Sequence, residues 1–220
     1  MTEPVELDAL DLAALISSRL CHDVISPVGA IVNGLEVLEE EKDPQMREFA
    51  IDLVRKSAQQ ASARLQFARL AFGAAGSAGA MIDVADAEQV AHGFIKDSKA
   101  ELEWSAPRVL LPKNKVKLLL NLVVIAHTTI PRGGLMKVSV EGNEPDTLIR
   151  IVTTGQMARV PAGVQDLISG QPHEDRIDAH VIQPFYTGLV ARASNMDVEM
   201  SVDEGSVTII ASPSAAPAAA

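Results

Sequence analysis

The residues best placed to do chemistry are Arg19-Leu20-Cys21-His22-Asp23-Val24-Ile25-Ser26-Pro27. A histidine, an adjacent carboxylate and a proline fall together inside a long helical pattern. Near pH 7 a neutral imidazole presents a nucleophilic nitrogen, so His22 is a candidate phosphoryl acceptor. Asp23 can orient the ring or hold its far N–H. Pro27 has no amide for the Asp23 carbonyl, and proline in a helix interior costs roughly 3 kcal/mol. It can kink the helix just below His22. A surface histidine on a coiled coil with a tolerated kink fits the same pattern, and the residues alone leave both readings open.

The elements that must position this stretch are two long helices. From Leu7 to Leu38 apolar or small residues recur at alternating steps of three and four: Leu7, Leu10, Ala14, Ser17, Cys21, Val24, Val28, Ile31, Leu35 and Leu38. This heptad seam places Cys21 in buried packing rather than in redox chemistry. Ile16, Leu20, Val32 and Val37 widen the stripe beyond a two-helix zipper. Asp43-Pro44 signals a helix restart, and Ile51, Val54, Ala58, Ala61, Leu65, Ala68 and Phe72 form the second seam. A short connection implies an antiparallel hairpin, which cannot cover both stripes alone. A homodimer closing a four-helix bundle is the simplest completion.

One step round the first helix, Ser18, His22, Ser26, Gly29, Asn33 and Glu36 share a face of small or polar residues. Gly29 and Gly34, each unfavourable in mid-helix, predict close approach by another body. If the hairpin turns near Lys42, Gln60 and Arg64 of the second helix lie near His22. The predicted partner-binding surface is therefore Arg19, Ser26, Gly29, Ala30, Asn33, Gln60 and Arg64. Residues 1–73 form this hairpin, and the Gly/Ala/Ser stretch 74–80 reads as a flexible linker.

Beyond it the pattern becomes α+β. Strand near Met81–Val84, helix at about Asp86–Ser98, strand-like Glu101–Leu111, apolar helix from Pro112 to about Ile130, and hairpin strands Leu135–Glu141 and Thr147–Thr153 follow in order. Short helices at Pro161–Ser169 and Asp178–Ala193 precede a last hairpin through Asp203-Glu204-Gly205. The expectation for 81–211 is a sandwich with helices on one face of a mixed sheet, and a disordered Ser/Ala/Pro tail at 212–220. His92, His127, His173 and His180 have no convergent partners in sequence and take structural roles by default; Phe185 and Tyr186 fit the core or a second partner contact, the core being preferred.

Composition narrows the function. The 220 residues carry a formal charge of −10 with no compensating basic run, which disfavours nucleic acid and anionic lipid. A single cysteine supports neither an intrachain disulfide framework nor a metal cluster. No signal peptide or membrane span is read, so a cytoplasmic protein is expected.

His22-Asp23-x-x-Ser26-Pro27 resembles the H-box of sensor histidine kinases, H-[ED]-x-x-[ST]-P, whose histidine takes the phosphoryl group; Ile25 stands where a basic residue is frequent. Such kinases carry a C-terminal ATPase-like domain of the Bergerat/GHKL type. Asn121-Leu122-Val123-Val124-Ile125-Ala126 is similar to its N-box, yet Ile125 replaces the magnesium-binding asparagine and offers no hard oxygen ligand. Thr153-Thr154-Gly155-Gln156-Met157 aligns with the D-x-G-x-G box, with Thr153 for the adenine-reading aspartate and Met157 for the second glycine. A paired Gly-x-Gly lid is absent. An H-box hairpin joined to a degenerate ATPase-like domain resembles the ChpT family of alphaproteobacterial histidine phosphotransferases, including Ala179-His180-Val181-Ile182-Gln183-Pro184-Phe185-Tyr186-Thr187-Gly188-Leu189. The resemblance implies a homodimer in a phosphorelay governing cell-cycle transcription. It implies that His22 takes phosphoryl from the receiver domain of a hybrid histidine kinase and passes it to response-regulator receiver domains. No cofactor in this chain is implied, Mg2+ coming with the receiver.

Overall fold

The computed structural model describes residues 5–73, 79–171 and 177–215; most of the expected linker, His173 and the end of the tail lie outside them. Helix α1 spans Ala9–Glu40 and α2 Pro44–Ala71. Asp8 caps α1 by accepting from the Leu10 N–H, and Asp43 caps α2 by accepting from Gln45 and Met46, with Pro44 in the first turn where its missing donor is harmless. No basic residue lies in the last turn of α1; Arg47 of α2 serves that end instead, donating from Nη1 to the carbonyls of Leu38 and Glu41.

The row of α1 that meets α2 differs from the expected seam. Its buried members are Pro27 and Gly34, whereas Leu10, Cys21, Val28 and Leu35 are exposed in the single chain. The physical reason is that α1 has two apolar rows, and the one with small residues lets α2 come closest. A Cβ on Gly34 would stand 2.7 Å from Val54 Cγ2 and 3.3 Å from the Ala50 carbonyl oxygen, while one on Gly29 would meet nothing within 4 Å. The close body expected at Gly34 is thus α2 of the same chain; at Gly29 the space is open.

The remaining elements are β1 (Met81–Asp83), α3 (Val84–Ile95), β2 (Ala100–Ser105), β3 (Leu110–Pro112), α4 (Lys113–Thr129), β4 (Gly134–Glu141), β5 (Leu148–Thr154), α5 (Val164–Ser169), α6 (Ile182–Ala193), β6 (Met196–Asp203) and β7 (Ser206–Pro213). The five-stranded sheet has the order β2-β4-β5-β7-β6, parallel between β2 and β4 and antiparallel elsewhere. β1 and β3 form a separate antiparallel pair. The fold is α+β with a mixed sheet. The single strand expected at Glu101–Leu111 is two strands in different sheets, because Pro107 cannot donate to a ladder and turns the chain between them. The tail also departs from expectation at its start: Ser212 and Pro213 belong to β7, paired with Asp197 and Met196.

Alternation decides the packing. Met136, Val138 and Val140 of β4, Ile149, Ile151 and Thr153 of β5, and Val207, Ile209 and Ala211 of β7 are buried, while Lys137 and Arg150 between them point out. Their inner face meets α4, whose buried run from Leu118 to Ala126 fills the middle of the domain. The hairpin shares this core. Phe67 and Ala71 of α2 are buried within it, Phe67 stacking on Phe94 of α3 at 4.4 Å between centroids. Leu12, Leu15 and Ile16 of α1 pack on Leu167, Ile182 and Phe185. By length and composition α1 could cross a membrane, but it is one arm of this hairpin and has Arg19, His22 and Asp23 at mid-length.

Candidate functional site

The site begins with the hydrogen bond that Pro27 cannot make. Without its amide, the Asp23 carbonyl has no partner one turn along α1, and an unpaired carbonyl in a half-buried groove is unfavourable. Arg64 of α2 meets this need, donating from Nη1 to the Asp23 carbonyl oxygen. Proline and arginine therefore work as a pair.

The Asp23 side chain is held from two sides. Arg19 Nε donates to Oδ2 at 3.1 Å, one turn earlier on the same helix. Oδ1 lies 3.5 Å from His22 Nδ1. The carboxylate thus faces the Nδ1 side of the imidazole, which favours the tautomer with its proton on Nδ1 and leaves the Nε2 lone pair available. The His22 side chain is 72% exposed, so that nitrogen can be reached from solvent.

Ser26 and Asn33 are exposed on the same side of α1 as His22, while Gly29 and Ala30 are partly covered; Gln60 is half-buried on α2. Arg19 and Arg64, expected to face a partner, are both engaged by Asp23 within the chain. Cys21, expected in packing, is exposed beside His22; its row is the outer of the two on α1.

The second domain contributes something that sequence reasoning missed. His180, given a structural role by default, stands edge-on to His22 with ring centroids 6.2 Å apart and planes at 77°. The two residues are far apart in the chain and share no motif. Only the packing of α1 on α6 joins them, and that packing has no spacing to read in the sequence. Among the other histidines, His92 lies 3.9 Å from Glu88 on an exposed helix face. His127 sits edge-on to Phe94, where burial pushes its pKa below the ordinary histidine value. Phe185 is in the core, and Tyr186 is partly buried against Phe72.

Of the positions aligned with nucleotide motifs, Asn121, Ile125 and Thr153 are internal, whereas Met157 is exposed. Ile125 is 1% exposed. Thr153 is fully buried, its hydroxyl 2.6 Å from that of Thr129 and 3.4 Å from the Val207 carbonyl. Asn121 is buried too and works as a strut: its Nδ2 donates to the Ala71 carbonyl at the end of α2, at 3.1 Å, and to Lys117 at 2.9 Å. Gln183 of α6 donates from Nε2 to the Asn121 carbonyl at 3.0 Å and approaches Thr187 Oγ1 at 3.1 Å. Met157 keeps a left-handed backbone, φ 63°, where the kinase motif has glycine. Among the described residues no cluster of three or more His, Cys, Asp or Glu side chains is arranged to hold a metal.

Comparison with known proteins places the chain in a family. Residues 84–206 match the model of the histidine phosphotransferase C-terminal domain. The chain is 53% identical over 200 residues to the protein phosphotransferase ChpT of Brucella abortus (strain 2308), covering 91% of this chain and 94% of that protein. It superposes on a bacterial phosphotransferase solved at 1.7 Å with a TM-score of 0.88 and 48% identity, over 96% of this chain and all of that one.

Proposed function

The chain belongs to the histidine phosphotransferase family, and on that premise we propose that His22 is a relay point in a multistep phosphorelay. It takes a phosphoryl group from the receiver aspartate of a hybrid kinase and gives it to response-regulator receivers. The observation that carries this reading is the exposed His22 ring with a carboxylate at its Nδ1 side. In the forward step the Nε2 lone pair forms the N–P bond as the acyl-phosphate O–P bond breaks. The receiver carboxylate leaves with that bonding pair. Asp23 steadies the positive charge that develops on the ring through the Nδ1 proton. Donation runs the same path backwards. The receiver supplies magnesium and the acidic pocket, so this chain contributes placement of the imidazole.

A reading without ATP-dependent kinase activity is supported by the buried Ile125 and by the Thr129–Thr153 hydroxyl pair. Homodimerisation is supported by the apolar side chains left exposed along both arms of the hairpin, Ile25, Val28, Val32 and Leu35 on α1 with Phe49 and Leu65 on α2. Ser26, Gly29, Ala30, Asn33 and Gln60 form the receiver-facing surface, and a soluble cytoplasmic protein follows from the same reading.

The test is transfer of label from a phosphorylated receiver to wild type and to His22→Ala. Wild type should become labelled and the variant should not. Labelling of His22 from ATP alone would overturn the relay reading in favour of a kinase, and labelling of His22→Ala would remove His22 from the chemistry.

A further inference from the structure

Beside the reactive imidazole stands a second one that the transfer step does not use. His180 belongs to the other domain, yet its ring lies edge-on to His22 with 6.2 Å between centroids. Its placement is built. Asp178 Oδ1 accepts from the backbone N–H groups of His180 at 2.8 Å and Val181 at 3.2 Å, fixing the turn that leads into α6. The next residue, Ile182, is 1% exposed and packs with Leu167 and Phe185 beneath Leu12, Leu15 and Ile16 of α1. Further along, the Val5 N–H donates to the Gly170 carbonyl at 2.8 Å, tying the approach to α1 to the end of α5. Rigid packing, rather than a loop alone, brings His180 to His22.

The donors around His22 differ in how free they are. Arg19 and Arg64 are both engaged by Asp23. The His180 ring has no hydrogen bond among the described residues, and an imidazole always carries at least one N–H. The separation is too large for a direct bond between the rings, and a tetrahedral phosphoryl group on His22 can bridge it.

We infer that His180 donates a hydrogen bond to the phosphoryl group carried by His22 and so stabilises the phosphorylated state of the relay. The inference rests on the relay reading of His22. The donor comes from the second domain of the same chain, which gives that domain a part in the reaction that does not involve nucleotide. Because the bond exists only when the phosphoryl group is present, it shifts the equilibrium of transfer towards the phosphohistidine.

One experiment separates this inference from the reading beneath it. A single labelled receiver is equilibrated with full-length wild type, His180→Ala, His180→Leu and His180→Gln, and the ratio of phosphohistidine to phosphoaspartate is measured. With the receiver held constant, changes in that ratio report only the phosphorylated against the free state of this chain. Loss of one charge-assisted hydrogen bond should lower the ratio about tenfold in His180→Ala and His180→Leu, and His180→Gln, which keeps an N–H, should recover most of it. Thermal melting checks that each variant folds; the leucine variant preserves bulk should alanine loosen the turn. An unchanged ratio in folded His180→Ala or His180→Leu, with wild type labelled, refutes the inference alone. Wild type that takes no label refutes the relay reading and the inference with it.

Discussion

Helices α1 and α4 are the longest apolar stretches of their two domains, and they handle their apolar residues in opposite ways. α1 buries two of its 32 residues, one proline and one glycine. α4 buries twelve of 17, among them Asn121 and Lys115. A helix apolar all round is normally enclosed by its own chain, as α4 is. α1 packs Leu12, Leu15 and Ile16 on the second domain but leaves Ile25, Val28, Val32 and Leu35 exposed. The difference separates a helix with a long exposed apolar stripe from one enclosed by its own chain. The enclosed region includes Asn121 and Ile125, two of the positions aligned with the kinase nucleotide motifs.

The largest effect that could break this comparison is on assembly. Val28→Asp together with Leu35→Asp puts two charges into the exposed stripe of α1, and should weaken self-association by at least about 100-fold, since burying an unpaired charge costs several kcal/mol. Sedimentation velocity reads this directly. A wild type that is monomeric at all concentrations would remove the dimer from the account.

Next is the closed region. Ile125→Asn restores the residue type a magnesium site wants, but in a core that is already full. The expected result is a loss of about 3 kcal/mol in unfolding free energy with no gain of nucleotide binding. Calorimetric titration with ATP and Mg2+ checks the second half; tight binding by this variant would mean that the nucleotide cleft is still present.

The smallest effects sharpen the contrast within α1 itself. Gly34→Ala drives a methyl group into Val54 and should cost about 1–2 kcal/mol. Gly29→Ala meets open space and should gain up to about 1 kcal/mol from helix propensity. Chemical denaturation of both variants is enough, and a loss of stability in Gly29→Ala as well would show that Gly29 is closely packed too.

Most of the element order was legible in the sequence because the elements have their own periodicity and their own stops, such as Asp43-Pro44 between the helices and Asp203-Glu204-Gly205 between β6 and β7. Which apolar row of α1 would face α2 was not legible. Two rows satisfy the same spacing, and the choice depends on Pro27 and Gly34 allowing close approach, a matter of three-dimensional fit. The split at Pro107 is a local rule that was available and overlooked. At the site, His22 and Asp23 were found through their adjacency. Arg64 was placed near His22 by counting from the turn, but its partner, the carbonyl that Pro27 orphans, involves no side chain a motif can contain. His180 lies in a segment that carries the family resemblance, but its nearness to His22 was not legible because tertiary packing alone brings the two together. Asn121 was read through its motif, although its amide ties α4 to the end of α2.

The Arg64 contact has a consequence for the energetics of relay. An orphaned carbonyl occurs at one height on α1, and the guanidinium that meets it comes from one height on α2, so the two helices cannot slide past one another by a turn without breaking the match. The hairpin has a pinned register, and the imidazole a fixed elevation. A relay with a stationary acceptor presents the same geometry to a phosphoryl group arriving and to one departing. Such a component adds no directional bias of its own: like a catalyst, it speeds equilibration between the proteins on either side, and the sign of net flow is set by their relative phosphorylation potentials.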